Sequence, residues 1–204
     1  MNPQRKTRRT LISIFALGVL CSAPLSLALG QSADPSAPDD ASLWRGLQSG
    51  DHVALMRHAL APGTGDPEEF SIDDCATQRN LSSTGREQAG RIGERFRVNG
   101  ISVAAVFSSQ WCRCRDTARL LGLGPVTEQP LLNSFFRDFS RRDSQTEALS
   151  EWIARQDRSF PLVLVTHQVN ITALTGVFPQ SGELVILRRD AAGGLSVVGT
   201  IRTP

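Results

Sequence analysis

Three short apolar runs in this chain each end in residues able to do chemistry. His52-Val53-Ala54-Leu55-Met56 leads into Arg57-His58. Ala104-Ala105-Val106-Phe107 leads into Ser108-Ser109, with Arg113 five residues beyond Ser108. Leu162-Val163-Leu164-Val165 leads into Thr166-His167-Gln168. Two arginines and two histidines meeting in one crevice would suit a dianionic phosphoryl group. Guanidinium forks match phosphate oxygens in pairs, and a neutral imidazole nitrogen attacks phosphorus without first losing a proton. Singly, each piece has an ordinary reading: Arg-His is a common dipeptide, an arginine near a helix start is often a surface ion-pair residue, and a histidine at a strand end is often a satisfied structural group. Their joint placement at three run ends points to a site.

Further candidates surround these. Arg79 is either an outer phosphate ligand or an ion-pair partner, and Gln168 directly follows the second histidine. Thr64 sits in a Gly-rich loop after His58, and Phe135-Phe136 either lines a substrate mouth or belongs to the core. His52 reads as a structural or surface residue.

Such side chains need a scaffold, and the hydrophobic pattern supplies one. The three runs suit buried parallel strands. Between the first two, Thr84-Gly85-Arg86-Glu87 predicts a capping box, followed by Ala89, Ile92 and Phe96 on one helical face and Gly100 as the stop. Further helices are predicted over Cys112 to Leu121, Ser144 to Gln156 and Asn170 to Val177. Glu183 to Arg189 and Ser196 to Arg202 read as a closing β pair across Ala191-Ala192-Gly193-Gly194. Strands alternating with helices predict an α/β sheet covered on both faces, with ligands beyond the carboxyl ends of its strands.

These motifs resemble the histidine phosphatase superfamily, with its phosphoglycerate-mutase-like fold. The resemblance rests on Leu55-Met56-Arg57-His58, on Ser108 to Arg113 with Thr117-Ala118, and on Val163 to His167. Asn80-Leu81-Ser82, Gly85 and Gln88-Ala89 add to it. It covers His52 to about Leu187. It implies a three-layer α/β sandwich with a mostly parallel central sheet and helices on both faces. It also implies that His58 becomes a phosphohistidine while Arg57, Arg113 and His167 surround the transferred group. No cofactor or metal is expected.

The chain departs from the family at the general acid. Asn133 stands where the branch resembling phosphoglycerate mutase has a Glu, and Gln168 stands where the acid-phosphatase branch has an Asp, although Asn170 does resemble the latter branch. Neither amide can act as an acid. Glu183, Asp73, Asp74, Glu128 and Asp138 are possible substitutes; alternatively the leaving group needs little protonation. The expected activity is hydrolysis of a phosphomonoester or phosphoprotein. A phospho-ligand binding or sensing module with little turnover is the alternative, and a mutase a weaker third.

Composition narrows the setting. At 204 residues, 40% hydrophobic and 21% charged, the chain has the balance of one folded domain. The formal charge of +2 misleads, because Arg5, Lys6, Arg8 and Arg9 lie in a head without acids; the other 18 of the 22 basic residues face 20 acids. Net charge therefore gives no support to nucleic-acid binding. Lys6 is the only lysine, so a processed chain could form no lysine Schiff base. The basic head and the apolar run from Leu11 read as a signal peptide over 1–30, with 31–42 a flexible lead-in and 43–204 the domain. That predicts a periplasmic or secreted protein with no membrane attachment after cleavage. Three cysteines would remain, which in an oxidising compartment predicts one disulfide, Cys75 to Cys112 or Cys114, and one free thiol.

Overall fold

The computed structural model describes residues 39–203, so the segment read as a signal peptide lies outside the described residues. The three apolar runs form β1 (His52–Arg57), β2 (Ala105–Ser108) and, after a short β3 (Val126–Glu128), β4 (Leu162–Thr166). Strands β5 (Leu184–Arg189) and β6 (Leu195–Ile201) complete a six-stranded sheet in the order β3-β2-β4-β1-β5-β6. The first four strands in that order run parallel, while β5 pairs antiparallel with β1 and with β6. The sheet is thus mixed rather than mostly parallel. The reason lies in the loop before β5, which returns to the carboxyl edge of the sheet, where Gly182 N–H donates to the carbonyls of Arg57 and His58. A strand starting there beside β1 has to run the other way.

Side-chain alternation along the strands builds two cores, as the two-residue period of a strand requires. Ala54, Met56, Val163, Val165, Leu184 and Ile186 face one layer, formed by α1 (Asp40–Gln48), α2 (Ser83–Val98) and α3 (Cys112–Leu121). Val53, Leu55, Leu162, Leu164, Val185 and Leu187 face the other, formed by α4 (Arg142–Ala154) and α5 (Gln168–Thr175). These are the three layers. Helix α1 begins at Asp40, inside the stretch read as a lead-in, because Leu43, Trp44 and Leu47 form a buried face behind an Asp39 cap.

The cap of α2 is Ser82, whose Oγ accepts from Gly85 N, not Thr84. Leu81 decides this: it packs into a small cluster with Ala59, Ala61 and Ala89, which fixes where the chain enters the helix. Gly85 is needed there because a Cβ would lie 2.0 Å from the Leu60 carbonyl oxygen. The first turn of α2 is thereby pressed against the loop leaving β1.

Candidate active site

The carboxyl ends of β1, β2 and β4 open on one cavity of about 640 Å³. Arg57, His58, Thr64, Arg79, Arg113, His167 and Gln168 all line it. Main-chain bonds fix its floor: His58 N–H donates to Thr166 O, and Ser109 N–H to Val165 O. Ala59 N–H donates to Thr117 Oγ1, whose hydroxyl donates in turn to Arg113 O, tying the loop after β1 to the first turn of α3.

His58 is buried, and its Nδ1 lies 2.8 Å from the carbonyl of Ala59. A carbonyl only accepts, so Nδ1 carries the proton and Nε2 keeps its lone pair. Burial, followed by the charge of Arg113, holds the ring's pKa well below the ordinary imidazole value. His167 is likewise buried, and burial, Arg113 and His58 lower its pKa too. The two rings stand 5.6 Å apart, edge to face. Arg113 Nη2 lies 3.4 Å from His167 Nδ1; because guanidinium only donates, the His167 proton sits on Nε2, 2.8 Å from Ser109 Oγ. Ser109 passes its own proton toward Asn133 Oδ1.

The guanidinium groups are of two kinds. Arg113 is clamped by Asp66, Nη1 to Oδ1 at 2.6 Å and Nη2 to Oδ2 at 3.1 Å, and Trp111 Nε1 donates to the same carboxylate at 3.0 Å. Burial would raise the pKa of Asp66, but these partners outweigh it and hold the carboxyl below its ordinary value. Arg57 and Arg79 instead donate only to main-chain carbonyls, Arg57 to Pro179 and Arg79 to Gly65 and Ala61. Burial and then repulsion from Arg113 lower the pKa of both. The Nε–H groups of Arg57 and Arg113 are buried without a hydrogen-bond partner. Positive charge gathered this way beside two neutral imidazoles favours an anion at the strand ends.

Residues 53–135 match the family model of the histidine phosphatase superfamily, branch 1. Several solved structures share this fold. The protein histidine phosphatase SixA complexed with tungstate is 15% identical, with a TM-score of 0.56 over 74% of this chain and 96% of the other. A putative phosphohistidine phosphatase SixA from Agrobacterium tumefaciens is 20% identical, with a TM-score of 0.51 over 74% and 97%. A mutant phosphoserine phosphatase from Entamoeba histolytica in complex with phosphoserine is 13% identical, with a TM-score of 0.52 over 73% and 95%. At these identities the likeness is one of fold. A search of curated proteins gave no match.

The possible substitutes for the superfamily's general acid are mostly elsewhere. Glu183 is buried with its carboxylate on Gln180 N–H, and Glu128 pairs with Arg115 at the surface. Asp73 and Asp74 are exposed, Asp74 capping a turn of 3-10 helix over Cys75–Thr77. Only Asp138 lines the cavity, and its carboxylate accepts from the N–H and hydroxyl of Ser140. Asn133 does not line it: its amide joins Ser109 to Gln110, and its main-chain carbonyl accepts from Gln145 and Asn170. Asp66 was missed, although the Gly63-Thr64-Gly65 loop just before it had drawn attention.

The disulfide joins Cys75 to Cys112, one of the two pairings open from the sequence, and Cys114 is the buried free thiol. Burial pushes the Cys114 pKa up to about 12, so it stays a thiol, 3.5 Å from His167 Nε2. Phe135 and Phe136 divide the two readings given to them, Phe135 being buried and Phe136 exposed, while both line the cavity.

Proposed function

We propose that this chain is a phosphatase that hydrolyses a phosphomonoester or phosphoprotein through a phosphohistidine on His58. The observation that carries the proposal is the Nδ1 contact to Ala59 O, which leaves the Nε2 lone pair available beside the inner arginines Arg57, Arg79 and Arg113. In the first step Nε2 forms a bond to phosphorus as the ester P–O bond breaks, and the leaving oxygen departs with the electron pair. Water then attacks phosphorus, the P–N bond breaks, and neutral His58 is restored with release of inorganic phosphate. Arg57 and Arg79 offer donors free of carboxylates for the equatorial oxygens. Arg113, fixed by Asp66, offers its Nε–H and a permanent charge. Thr64 and Gln168 contact the phosphate or the leaving group from the rim.

Neither cavity carboxylate is disposed to protonate the leaving group, since Asp66 is held ionised by Arg113 and Asp138 is engaged with Ser140. The rate should therefore depend steeply on leaving-group pKa, with aryl, acyl and phosphohistidine substrates far ahead of alkyl phosphates. The test combines that series with brief exposure to a labelled aryl phosphate and acid-free mass spectrometry. Label on His58 with a steep plot is expected. Label on His167, or full activity in His58→Ala, defeats the proposal. A second reading, a phosphate binder with little turnover, draws on the same occupied Arg113; phosphate binding without aryl phosphatase activity would select it.

We further place the working protein in a periplasmic or secreted compartment. The Cys75–Cys112 disulfide and the sequence of residues 1–30 support that placement, and no helix among the described residues is long and apolar enough to cross a membrane. Phosphorylated small molecules or proteins are the partners this reading requires.

A further inference from the structure

Phosphate alone would leave most of this cavity unused, and the rest of its lining has a definite character. Of the four exposed phenylalanines among the described residues, Phe136 (44% exposed), Phe139 (58%) and Phe178 (69%) line this one cavity, and only Phe160 lies elsewhere. They come from separate segments. Phe139 belongs to the 3-10 turn Phe139–Arg141, with Phe136 packed beside it at a ring separation of 6.1 Å, whereas Phe178 projects from the loop after α5. Exposed aromatic rings gathered at one opening are costly unless something apolar covers them.

The same rim is strongly basic. Arg137, Arg141 and Arg142 join the three inner arginines in the lining, six in all against Asp66 and Asp138. Arg141 has no carboxylate partner among the described residues, and Arg142 reaches only the exposed Asp143, at 3.9 Å. A single phosphoryl dianion bound among the inner arginines would leave the outer cations uncompensated.

From these two features we infer the substrate class: an amphiphilic phosphomonoester, with an apolar chain laid against Phe136, Phe139 and Phe178 and a second anionic group facing Arg141. This inference rests on the phosphatase reading of the inner site, and names what occupies the remainder of the cavity. The chain removes the rings from water, and the second anion supplies the charge that the rim lacks.

The test uses O-phosphoserine carrying N-acetyl, N-hexanoyl or N-decanoyl groups, whose carboxylate is the second anion, with the methyl esters as counterparts that keep the phosphoryl group and lack that second anion. Matched phosphonates, which cannot be hydrolysed, are titrated into the wild-type protein by calorimetry while turnover of the phosphates is followed separately. Affinity is expected to rise about 30-fold from acetyl to decanoyl, the worth of two or three buried methylenes. Esterification should lower it roughly three- to five-fold, as for a partly exposed ion pair. Phe139→Ser and Phe178→Ser should flatten the chain-length series, Arg141→Gln should erase the ester effect, and Phe160→Ser, outside the cavity, should change neither. Thermal unfolding of each variant verifies folding.

Affinity flat across the chain lengths overturns the inference even if every phosphate is hydrolysed. Chain-dependent affinity without turnover upholds the amphiphilic phosphomonoester as the cavity's ligand and removes the phosphatase reading instead. A phosphohistidine peptide without an acyl group that binds and turns over better than the decanoyl compound also overturns it.

Discussion

At the scale of single residues, the cavity holds two imidazoles of lowered pKa among guanidinium groups. Folded His58 and His167 resist protonation, whereas the same side chains in the unfolded chain take up a proton near the ordinary value of about 6.5. The unfolded state therefore binds more protons below that pH. Their contribution to stability is present above about pH 6.5 and is lost as pH falls from there toward their lowered folded values. Urea unfolding at pH 7.5 and at pH 5.5 should show the loss, and a double His→Gln variant should reduce it. Turnover follows the same sign: kcat/KM should hold as pH drops through 6.5, because the His58 lone pair survives there. An acid limb centred at or above 6.5 would count against His58 as nucleophile. Arg113→Lys should lose about 100- to 1,000-fold in kcat, since a point charge can neither satisfy both oxygens of Asp66 nor aim a fixed donor inward. Steady-state kinetics on an aryl phosphate checks this. Arg57, His58, His167 and Gln168 were legible in the sequence because strand ends are local features. Asp66 was not, because its place depends on Arg79 N–H, Trp111 and Arg113, contacts remote in sequence.

At the scale of elements, the parts that hold the site are one loop and one helix end. The segment from Ser71 to Asn80 is stitched by Gln78, whose Nε2 donates to Ser71 O and Ile72 O and whose Oε1 accepts from Cys112 N–H. The Cys75–Cys112 bond then secures it to α3, one residue before Arg113. Closing a loop of sequence separation 37 should contribute at most about 4 kcal/mol. Cys75→Ser/Cys112→Ser should lower the urea midpoint accordingly, and should raise KM as the Arg79 segment loosens. An unchanged midpoint under reductant would show that Gln78 alone suffices. Strands β1, β2 and β4 were readable from unbroken apolar runs, and α3 was read over its observed bounds, Cys112–Leu121. Strand β3 was not readable, because Val126–Glu128 has a single apolar residue and exists by pairing with β2. The antiparallel direction of β5 was equally invisible, since it follows from the return of the loop at Gly182.

At the scale of the whole molecule, charge is distributed unevenly: six arginines and two carboxylates line the cavity, which leaves the rest of the chain beyond the basic head with 12 arginines against 18 acids. Anionic substrates should be drawn to it, so kcat/KM should fall about 3- to 10-fold as ionic strength rises from about 0.01 to 0.5 M. Stopped-flow or initial-rate measurements on an aryl phosphate would detect this, and a flat response would mean that the rim charges do not steer. The strand order has a different consequence, one of timing. The first strand of the sheet is also an inner one, and both of its neighbours, β4 and β5, lie beyond residue 161. A chain emerging end-first from a ribosome or through a pore thus presents the strand that leads into His58 long before anything exists for it to pair with. The sheet cannot close on that strand until the last quarter of the polypeptide has arrived, so the pocket that joins His58 to His167 forms only afterwards.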